Sequence, residues 1–226
     1  MGLLKSLKNR YRRYRNAWLV RDKAKFFCIG RNKTGTTSLE REFRALGFIV
    51  GRQRTAEILC DECYARREFG PIIEYCQSAE VFQDVPFSLP DTFRHMDKAF
   101  PGSKFILTVR DDPEQWYQSL IRFQSRMFGR NGTLPTADDL RNATYVRRGW
   151  AYNRVRTYGT SDDDIYNRER LIAHYVRHNN DVMKYFADRR GDLLVINLAQ
   201  PDAYARFLEF VGAHSERSGF PWENRG

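Results

Sequence analysis

The chain has 226 residues, of which 42% are hydrophobic and 29% charged, and its formal net charge is +10. This composition suits one folded domain with a substantial core and excludes a mainly disordered chain. The sequence contains no apolar run of about 18 residues, so we predict no transmembrane helix. We also predict that the protein is cytoplasmic.

The positive charge is concentrated at the start of the chain, where residues 1–25 hold nine Lys or Arg and one Asp. Residues 1–24 are predicted to contain a basic amphipathic helix, with an apolar stripe at spacings of three and four. The stripe consists of Leu4, Leu7, Tyr11, Tyr14 and Trp18. One interpretation is attachment to an anionic membrane, as a peripheral protein. The other is packing on the domain or on a second subunit of a homodimer.

Beyond the N-terminal segment, apolar strand patterns alternate with helix patterns. Strands are predicted at 25–30, 48–51, 80–84, 104–109 and 193–197, and helices at 36–46, 55–77, 90–100, 113–128, 168–186 and 202–212. Such alternation predicts a single α/β domain over 25–224, with a mostly parallel sheet flanked by helices. Residues 129–166 are polar and irregular, and are predicted to form an insertion or lid.

The most informative segment is 30–38, Gly-Arg-Asn-Lys-Thr-Gly-Thr-Thr-Ser, between a predicted strand and a predicted helix. Backbone N–H groups and the helix dipole bind anions in that context. Gly35 permits a tight turn for close approach of a phosphate, and Lys33 adds a positive charge. The segment therefore predicts a phosphate-binding loop.

The same loop lacks the features of a nucleoside triphosphatase. In those proteins a Lys directly precedes the Ser or Thr that binds Mg²⁺, whereas Lys33 lies two residues before Gly35. A Cys-x-x-Cys pair, Cys60 and Cys63, has no matching pair elsewhere, and zinc sites need further ligands. No metal site is predicted.

A second anion site is predicted from the strand at 104–109 and the helix at 113–128. Arg110 follows the strand, and Ser119 lies within the helix. Ligands of open α/β sheets bind at the carboxyl ends of the strands, and the planar guanidinium of an arginine suits a phosphate.

With these two segments, the chain resembles the superfamily of sulfotransferases that use 3'-phosphoadenosine 5'-phosphosulfate (PAPS), and it is closer to the carbohydrate and glycolipid members. Lys33 to Thr37 and Arg110 to Ser119 match the two donor motifs of that superfamily in order and residue type. Further similarity lies in Asp84-Val85-Pro86, in Tyr175 with His178, Asn179, Tyr185 and Phe186, in residues 193–195, and in Phe220-Pro221 with Asn224. The resemblance implies a fold like that of P-loop nucleotide hydrolases.

The resemblance also implies roles for the motif residues. Lys33 would contact the bridging oxygen of the phosphosulfate as a catalytic residue, and Arg110 and Ser119 would bind the 3'-phosphate. The remaining residues implied to bind the donor are Arg31, Thr34, Gly35, Thr36, Thr37 and Ser38. PAPS would be the sulfuryl donor and adenosine 3',5'-bisphosphate (PAP) the product, without a metal.

The general base is predicted to be Asp84, which ends the strand at 80–84 and precedes Val85-Pro86. In the superfamily the base lies near this position and is a His or a carboxylate. The competing interpretation is a turn cap, a common role of aspartate at strand ends. Glu40, His95 and His178 are the other candidates.

The acceptor is predicted from the interleaved cations and aromatics of residues 141–170. They are Arg141, Tyr145, Arg147, Arg148, Trp150, Tyr152, Arg154, Arg156 and Tyr158. Aromatic faces stack on sugar rings and arginines pair with acidic groups, so a glycan or glycolipid is predicted rather than a nucleic acid. Two alternatives remain open here: a phosphotransferase that uses Mg-ATP, and a non-catalytic module that attaches through residues 1–25.

Overall fold

The computed structural model describes residues 11–12 and 14–221. Within them the chain forms a parallel four-stranded sheet in the order β2-β1-β3-β4. The strands are β1 (Phe26–Cys28), β2 (Val81–Gln83), β3 (Lys104–Thr108) and β4 (Leu193–Ile196). This arrangement confirms the predicted fold class, an α/β domain with a parallel sheet flanked by helices.

The helices cover both faces of the sheet. They are α1 (Thr36–Ala45), α2 (Gln53–Glu62), α3 (Gly70–Cys76), α4 (Thr92–Ala99), α5 (Pro113–Phe128), α6 (Ala137–Asn142), α7 (Trp150–Arg156), α8 (Arg168–Tyr185) and α9 (Ala203–Val211). Short 3-10 helices occur at Tyr64–Arg66 and Arg190–Asp192. The pattern for 113–128 predicted α5 well because Pro113 begins the helix and the Asp112 side chain caps it.

The central strand β1 is buried on both sides, as is usual in a parallel sheet. Phe27 packs between Phe82 and Phe105, its partners in the neighbouring strands, with ring centroids 5.5 Å apart in both pairs. Phe26 points to the opposite layer and contacts Phe43 of α1. Aromatic side chains therefore pack on both faces of β1 and hold the strand in the centre of the sheet.

Two predicted elements are wrong. Residues 48–51 are not a strand and form only an isolated bridge between Val50 and Val81, because the Ile49 N–H is bonded to the Glu80 side chain instead of a neighbouring backbone. The predicted single helix at 55–77 is divided into α2, a 3-10 turn and α3. The first helix ends at Glu62, and Arg67, with a φ of 57°, ends the 3-10 turn.

Residues 129–166, which were expected to be irregular, contain two helices. Thr136 and Asp139 form a capping box at the start of α6, and Leu140 and Trp150 are buried against α5. The segment is therefore packed on the domain, while its role as an acceptor-side insertion or lid stays a prediction.

The predicted N-terminal helix is only partly within the described residues. Residues 11–12 and 14–19 are helical, whereas Leu4 and Leu7 of the stripe lie outside the described part. The stripe residues Tyr11, Tyr14 and Trp18 are exposed, so they do not pack on the domain as one interpretation expected. Within the described residues, no helix has both the length and the apolar character needed to cross a bilayer.

Candidate functional site

The carboxyl ends of β1, β2 and β3 lie side by side at one edge of the sheet. The chain leaves β1 toward β2 on one side and later returns to β3 on the other, so a crevice opens at this edge. Three loops follow the three strands and carry the predicted residues Lys33, Asp84 and Arg110. The topology thus brings all three predicted groups to one edge.

The loop after β1 has the backbone of an anion site. Lys33 and Gly35 have φ of 71° and 100°, a left-handed conformation that turns successive N–H groups toward one point. Helix α1 begins directly afterwards at Thr36, and no side chain caps its N-terminus. The first N–H groups of α1, including those of Thr37 and Ser38, remain available for an anion.

Thr34 is predicted to bind the donor, and its hydroxyl is engaged within the protein. Its side chain is buried, and the hydroxyl donates to the Arg31 carbonyl at 2.6 Å and lies 2.5 Å from the Thr108 hydroxyl. The hydroxyl therefore fixes the loop to β3, and only the backbone N–H of Thr34 is left for a phosphate.

Gly30 lets the loop approach β3 closely. A Cβ atom at this position would lie 2.5 Å from the carbonyl oxygen and 2.6 Å from the nitrogen of Thr108. We expect Gly30→Ala to lower the free energy of unfolding by about 2–3 kcal/mol, since a backbone contact relaxes poorly. Urea denaturation measures this change.

The matched control for this prediction is Gly191→Ala, at a position where a Cβ meets nothing within 4 Å. This control is expected to change the free energy of unfolding by no more than about 0.5 kcal/mol. Equal stability of the Gly30 and Gly191 variants would contradict the proposed close approach.

The loop after β3 is bonded directly to the loop after β1. The Nε of Arg110 donates to the Lys33 carbonyl at 2.7 Å, and the Arg110 backbone N–H donates to the Tyr175 hydroxyl at 3.0 Å. Trp116 of α5 also donates to the Asn32 carbonyl at 2.9 Å. The two predicted anion sites therefore form one continuous surface.

The Lys33 side chain lies over an aromatic ring among other cations. Its Nζ is 4.0 Å from the centre of the Phe123 ring. Burial lowers the pKa of Lys33, and Arg126 and Arg110 lower it further. Such a cluster of cations is stabilised by a bound anion.

Sequence reasoning missed Phe123 and Arg126, although a signal was present. They follow Ser119 by four and seven residues along α5, so the three side chains share the helix face turned toward Lys33. Ser119 therefore lies near the predicted site, in the second turn of α5.

Asp84 follows β2 in a strained conformation, with a φ of 58°. It accepts a hydrogen bond from the Val85 N–H at 2.8 Å. Removal from water raises the pKa of the Asp84 carboxyl, although that hydrogen bond and the nearby cations Arg31 and Lys33 oppose the shift. A carboxylate with a raised pKa is a stronger base.

Asp84 lines a cavity between the sheet edge and the 129–166 segment. Aromatic rings form much of its wall, and two guanidinium groups contribute to it. These lining residues include Phe123, Phe128, Tyr145, Trp150 and Tyr158, with Arg31 and Arg154. The cavity places apolar faces and hydrogen-bond donors beside the predicted base.

Arg31 lies on this cavity, although it was predicted to bind the donor. Its side chain is 1% exposed, donates to the Ser88 carbonyl at 2.5 Å and lies over the Tyr158 ring. Its Nε has no hydrogen-bond partner, and the same holds for the Nε of Arg154. Buried unpaired donors of this kind favour a ligand that accepts hydrogen bonds.

The other candidate bases have partners. Glu40 is paired with Arg44 at 2.8 Å and accepts from Gln83 at 3.0 Å. His95 stacks on Phe69, and burial lowers its pKa.

His178 binds the carbonyl oxygen of Ile29 through Nε2 at 2.8 Å. Burial and the charge of Arg31 lower the pKa of His178 to about 4. Since a carbonyl only accepts, the neutral ring carries its proton on Nε2.

Most arginines of the predicted acceptor segment form ion pairs or hydrogen bonds with other residues of the chain. Arg141 pairs with Asp138 and Asp162, and Arg147 with Asp61. Arg156 and Arg148 donate to Thr160 and Asn142. Of this set, Tyr145, Trp150, Arg154 and Tyr158 line the cavity.

The four cysteines, Cys28, Cys60, Cys63 and Cys76, are buried free thiols. Within residues 11–12 and 14–221, no group of three or more His, Cys, Asp or Glu is arranged to hold a metal ion. Asn224, part of the C-terminal similarity, lies outside the described residues.

The chain matches the model of a known protein family. This model, described as a sulfotransferase domain, matches residues 25–226, which include the sheet, both predicted anion loops and the cavity. No curated protein matches the chain significantly.

Proposed function

Because the chain belongs to the sulfotransferase domain family, its chemistry is sulfuryl transfer, and we propose that the donor is PAPS and the acceptor a hydroxyl or amine of a carbohydrate or glycolipid. The observation that carries the proposal is the bond between the two anion loops, from Arg110 Nε to the Lys33 carbonyl at 2.7 Å. It supports a single ligand with two phosphates, as in an adenosine 3',5'-bisphosphate.

In this proposal the loop after β1 binds the 5'-phosphosulfate. The N–H groups from Thr34 to Ser38 surround the 5'-phosphate at the N-terminus of α1. Arg110 and Ser119 bind the 3'-phosphate from the other loop and from α5. Lys33 leaves the Phe123 ring to reach the oxygen that joins phosphate and sulfur.

The transfer itself is proposed as an in-line displacement. Asp84 takes the proton of the acceptor while the acceptor oxygen or nitrogen forms its bond to sulfur. The bond between sulfur and the bridging oxygen breaks, and that oxygen keeps the electron pair. Lys33 and the backbone N–H groups neutralise the charge that develops there. These cations and donors support a transfer without a metal.

The carbohydrate acceptor is supported by the cavity beside Asp84. Trp150, Tyr145 and Tyr158 line this cavity, and aromatic rings stack on the apolar faces of sugars. The unpaired Nε donors of Arg31 and Arg154 suit hydroxyl or acidic oxygens of the same ligand.

Calorimetric titration with PAP in the presence of a chelator tests the donor site. We expect PAP to bind the wild-type protein, and Arg110→Ala to weaken binding by about 10–100-fold, because a charge-assisted contact to phosphate is lost. Arg189→Ala is the control, since Arg189 pairs with Asp97 at 2.7 Å, outside the three loops.

Two results would overturn the proposal for the donor. One is binding of Mg-ATP with no binding of PAP, which would indicate a phosphotransferase. The other is equal affinity of the Arg110 and Arg189 variants for PAP, which would place the 3'-phosphate elsewhere.

A further inference from the structure

The N-terminal helical segment presents an aromatic surface to solvent. Tyr11, Tyr14 and Trp18 are 72%, 69% and 64% exposed, the highest values among the large hydrophobic side chains of the described residues. Their spacing of three and four residues places them on one face of the helix. We call these three side chains the aromatic stripe.

The end of this helix is fastened to the domain. Val20 is fully buried, and the Lys25 Nζ donates to the Val20 carbonyl at 3.3 Å and to the Ala79 carbonyl at 2.7 Å. Lys23 pairs with Glu80 at 3.0 Å. The segment is thus joined to the domain beside the start of β2.

The opposite face of the helix is directed at the domain. Arg12 and Asn16, four residues apart, line a groove whose other wall includes Phe48 and Tyr75. The aromatic stripe therefore points outward because polar side chains occupy the inner face. Exposure of three large aromatic rings on one face is unusual without a binding partner.

The charge around the stripe is strongly positive. Residues 1–22, which precede the two lysines bonded to the domain, contain seven Lys or Arg and a single Asp. Tyrosine and tryptophan prefer the interface between lipid headgroups and acyl chains, and basic residues near them are attracted to anionic lipids. The exposed aromatic rings and the surrounding positive charge therefore both favour the surface of an anionic membrane.

We propose that the aromatic stripe docks the protein on the surface of an anionic lipid bilayer. The helix lies in the plane of the headgroups, with Tyr11, Tyr14 and Trp18 inserted and the lysines and arginines beside acidic lipids. This attachment is independent of the donor and acceptor sites and does not cross the bilayer.

A second copy of the chain is the competing occupant, and charge argues against it. A symmetric dimer through this stripe would bring two segments with the same excess of positive charge together. Three rings also cover far less than the roughly 800 Å² per partner of a stable interface. An anionic bilayer, in contrast, neutralises the charge.

Sedimentation with vesicles tests the proposal on the full chain. Wild-type protein is expected to bind vesicles of equal parts phosphatidylcholine and phosphatidylserine, and to bind vesicles of phosphatidylcholine alone much less. The variant Tyr11→Ser, Tyr14→Ser, Trp18→Ser is expected to lose at least about ten-fold in partitioning to the anionic vesicles.

The matched control is Leu134→Ser, Met183→Ser, which alters exposed hydrophobic side chains elsewhere and should bind as wild type does. Unchanged circular dichroism and thermal unfolding establish that each variant is folded. The proposal is overturned if the wild-type protein does not sediment with anionic vesicles, or if the stripe variant binds these vesicles as well as the wild type does. It is also overturned if light scattering shows a dimer that only the stripe variant dissociates.

Discussion

Asp84→Asn is expected to lower kcat by about 10²–10⁴-fold, the usual contribution of a general base. Asparagine keeps the shape of the side chain and an oxygen for the Val85 N–H, so the fold and the affinity for PAP should not change. Steady-state kinetics with a sulfated product as readout, together with calorimetry for PAP, measure the two effects separately.

The pH profile provides a second readout of the same residue. Burial raises the pKa of Asp84, so turnover should fall as the pH decreases through this raised value and the carboxylate gains a proton. The Asn variant should lack this ionisation. Glu40→Gln is the control, because Glu40 is already engaged with Arg44 and Gln83. Near-normal turnover of Asp84→Asn, or a larger loss in Glu40→Gln, would assign the base elsewhere.

Lys33→Ala should reduce kcat by about 10²–10³-fold, comparable with the removal of one preorganised donor in other acyl and phosphoryl sites. Alanine retains a Cβ, so the left-handed backbone with a φ of 71° has the same steric cost in both proteins. The loss of affinity for PAP should be smaller, because the charge that Lys33 neutralises develops during transfer.

Lys104→Ala is the matched control for Lys33. Lys104 lies at the opposite end of β3, where its Nζ bonds Asp192 at 2.9 Å and the Gly191 carbonyl at 2.7 Å. Its removal should leave kcat unchanged. If both variants lose turnover equally, or if Lys33→Ala loses only affinity for PAP, the role of Lys33 in the transfer step is wrong.

The positions of the loops after β1 and β3 could be predicted because their signals are local, and their binding of anions stays a prediction. A glycine with a lysine before it, a strand on one side and a helix on the other predict a phosphate loop without knowledge of the rest. Parallel strands then bring Lys33, Asp84 and Arg110 to one edge. The same reasoning predicted α5, where Asp112 and Pro113 determine the start.

The individual side chains depended on tertiary contacts that no local pattern contains. The hydroxyl of Thr34, a predicted phosphate ligand, lies 2.5 Å from the Thr108 hydroxyl. The side chain of Arg31, predicted to bind the donor, bonds the Ser88 carbonyl and lies over the Tyr158 ring on the cavity. In the 129–166 segment, polar composition concealed Leu140 and Trp150, whose burial depends on α5 lying beneath them.

The end of the 3-10 turn at Arg67 was equally hidden, because a left-handed arginine gives no compositional signal. At 48–51, the apolar residues predicted a fifth strand, yet the Ile49 N–H donates its hydrogen bond to the Glu80 side chain. In both cases one residue changed the outcome: a left-handed backbone interrupted a helical pattern, and one side-chain hydrogen bond replaced a strand contact.

The neutral ring of His178 has a consequence for acid sensitivity. In the unfolded chain this imidazole gains a proton near its ordinary pKa of 6.5, whereas the fold excludes the proton until about pH 4. Above pH 6.5 the ring is neutral in both states, so His178 does not lower the free energy of unfolding. As the pH falls from 6.5 toward 4, only the unfolded state gains the proton, and the free energy of unfolding decreases progressively. Mild acid therefore lowers the free energy of unfolding, while the neutral ring keeps its bond to the Ile29 carbonyl, just before the Lys33 loop, until about pH 4.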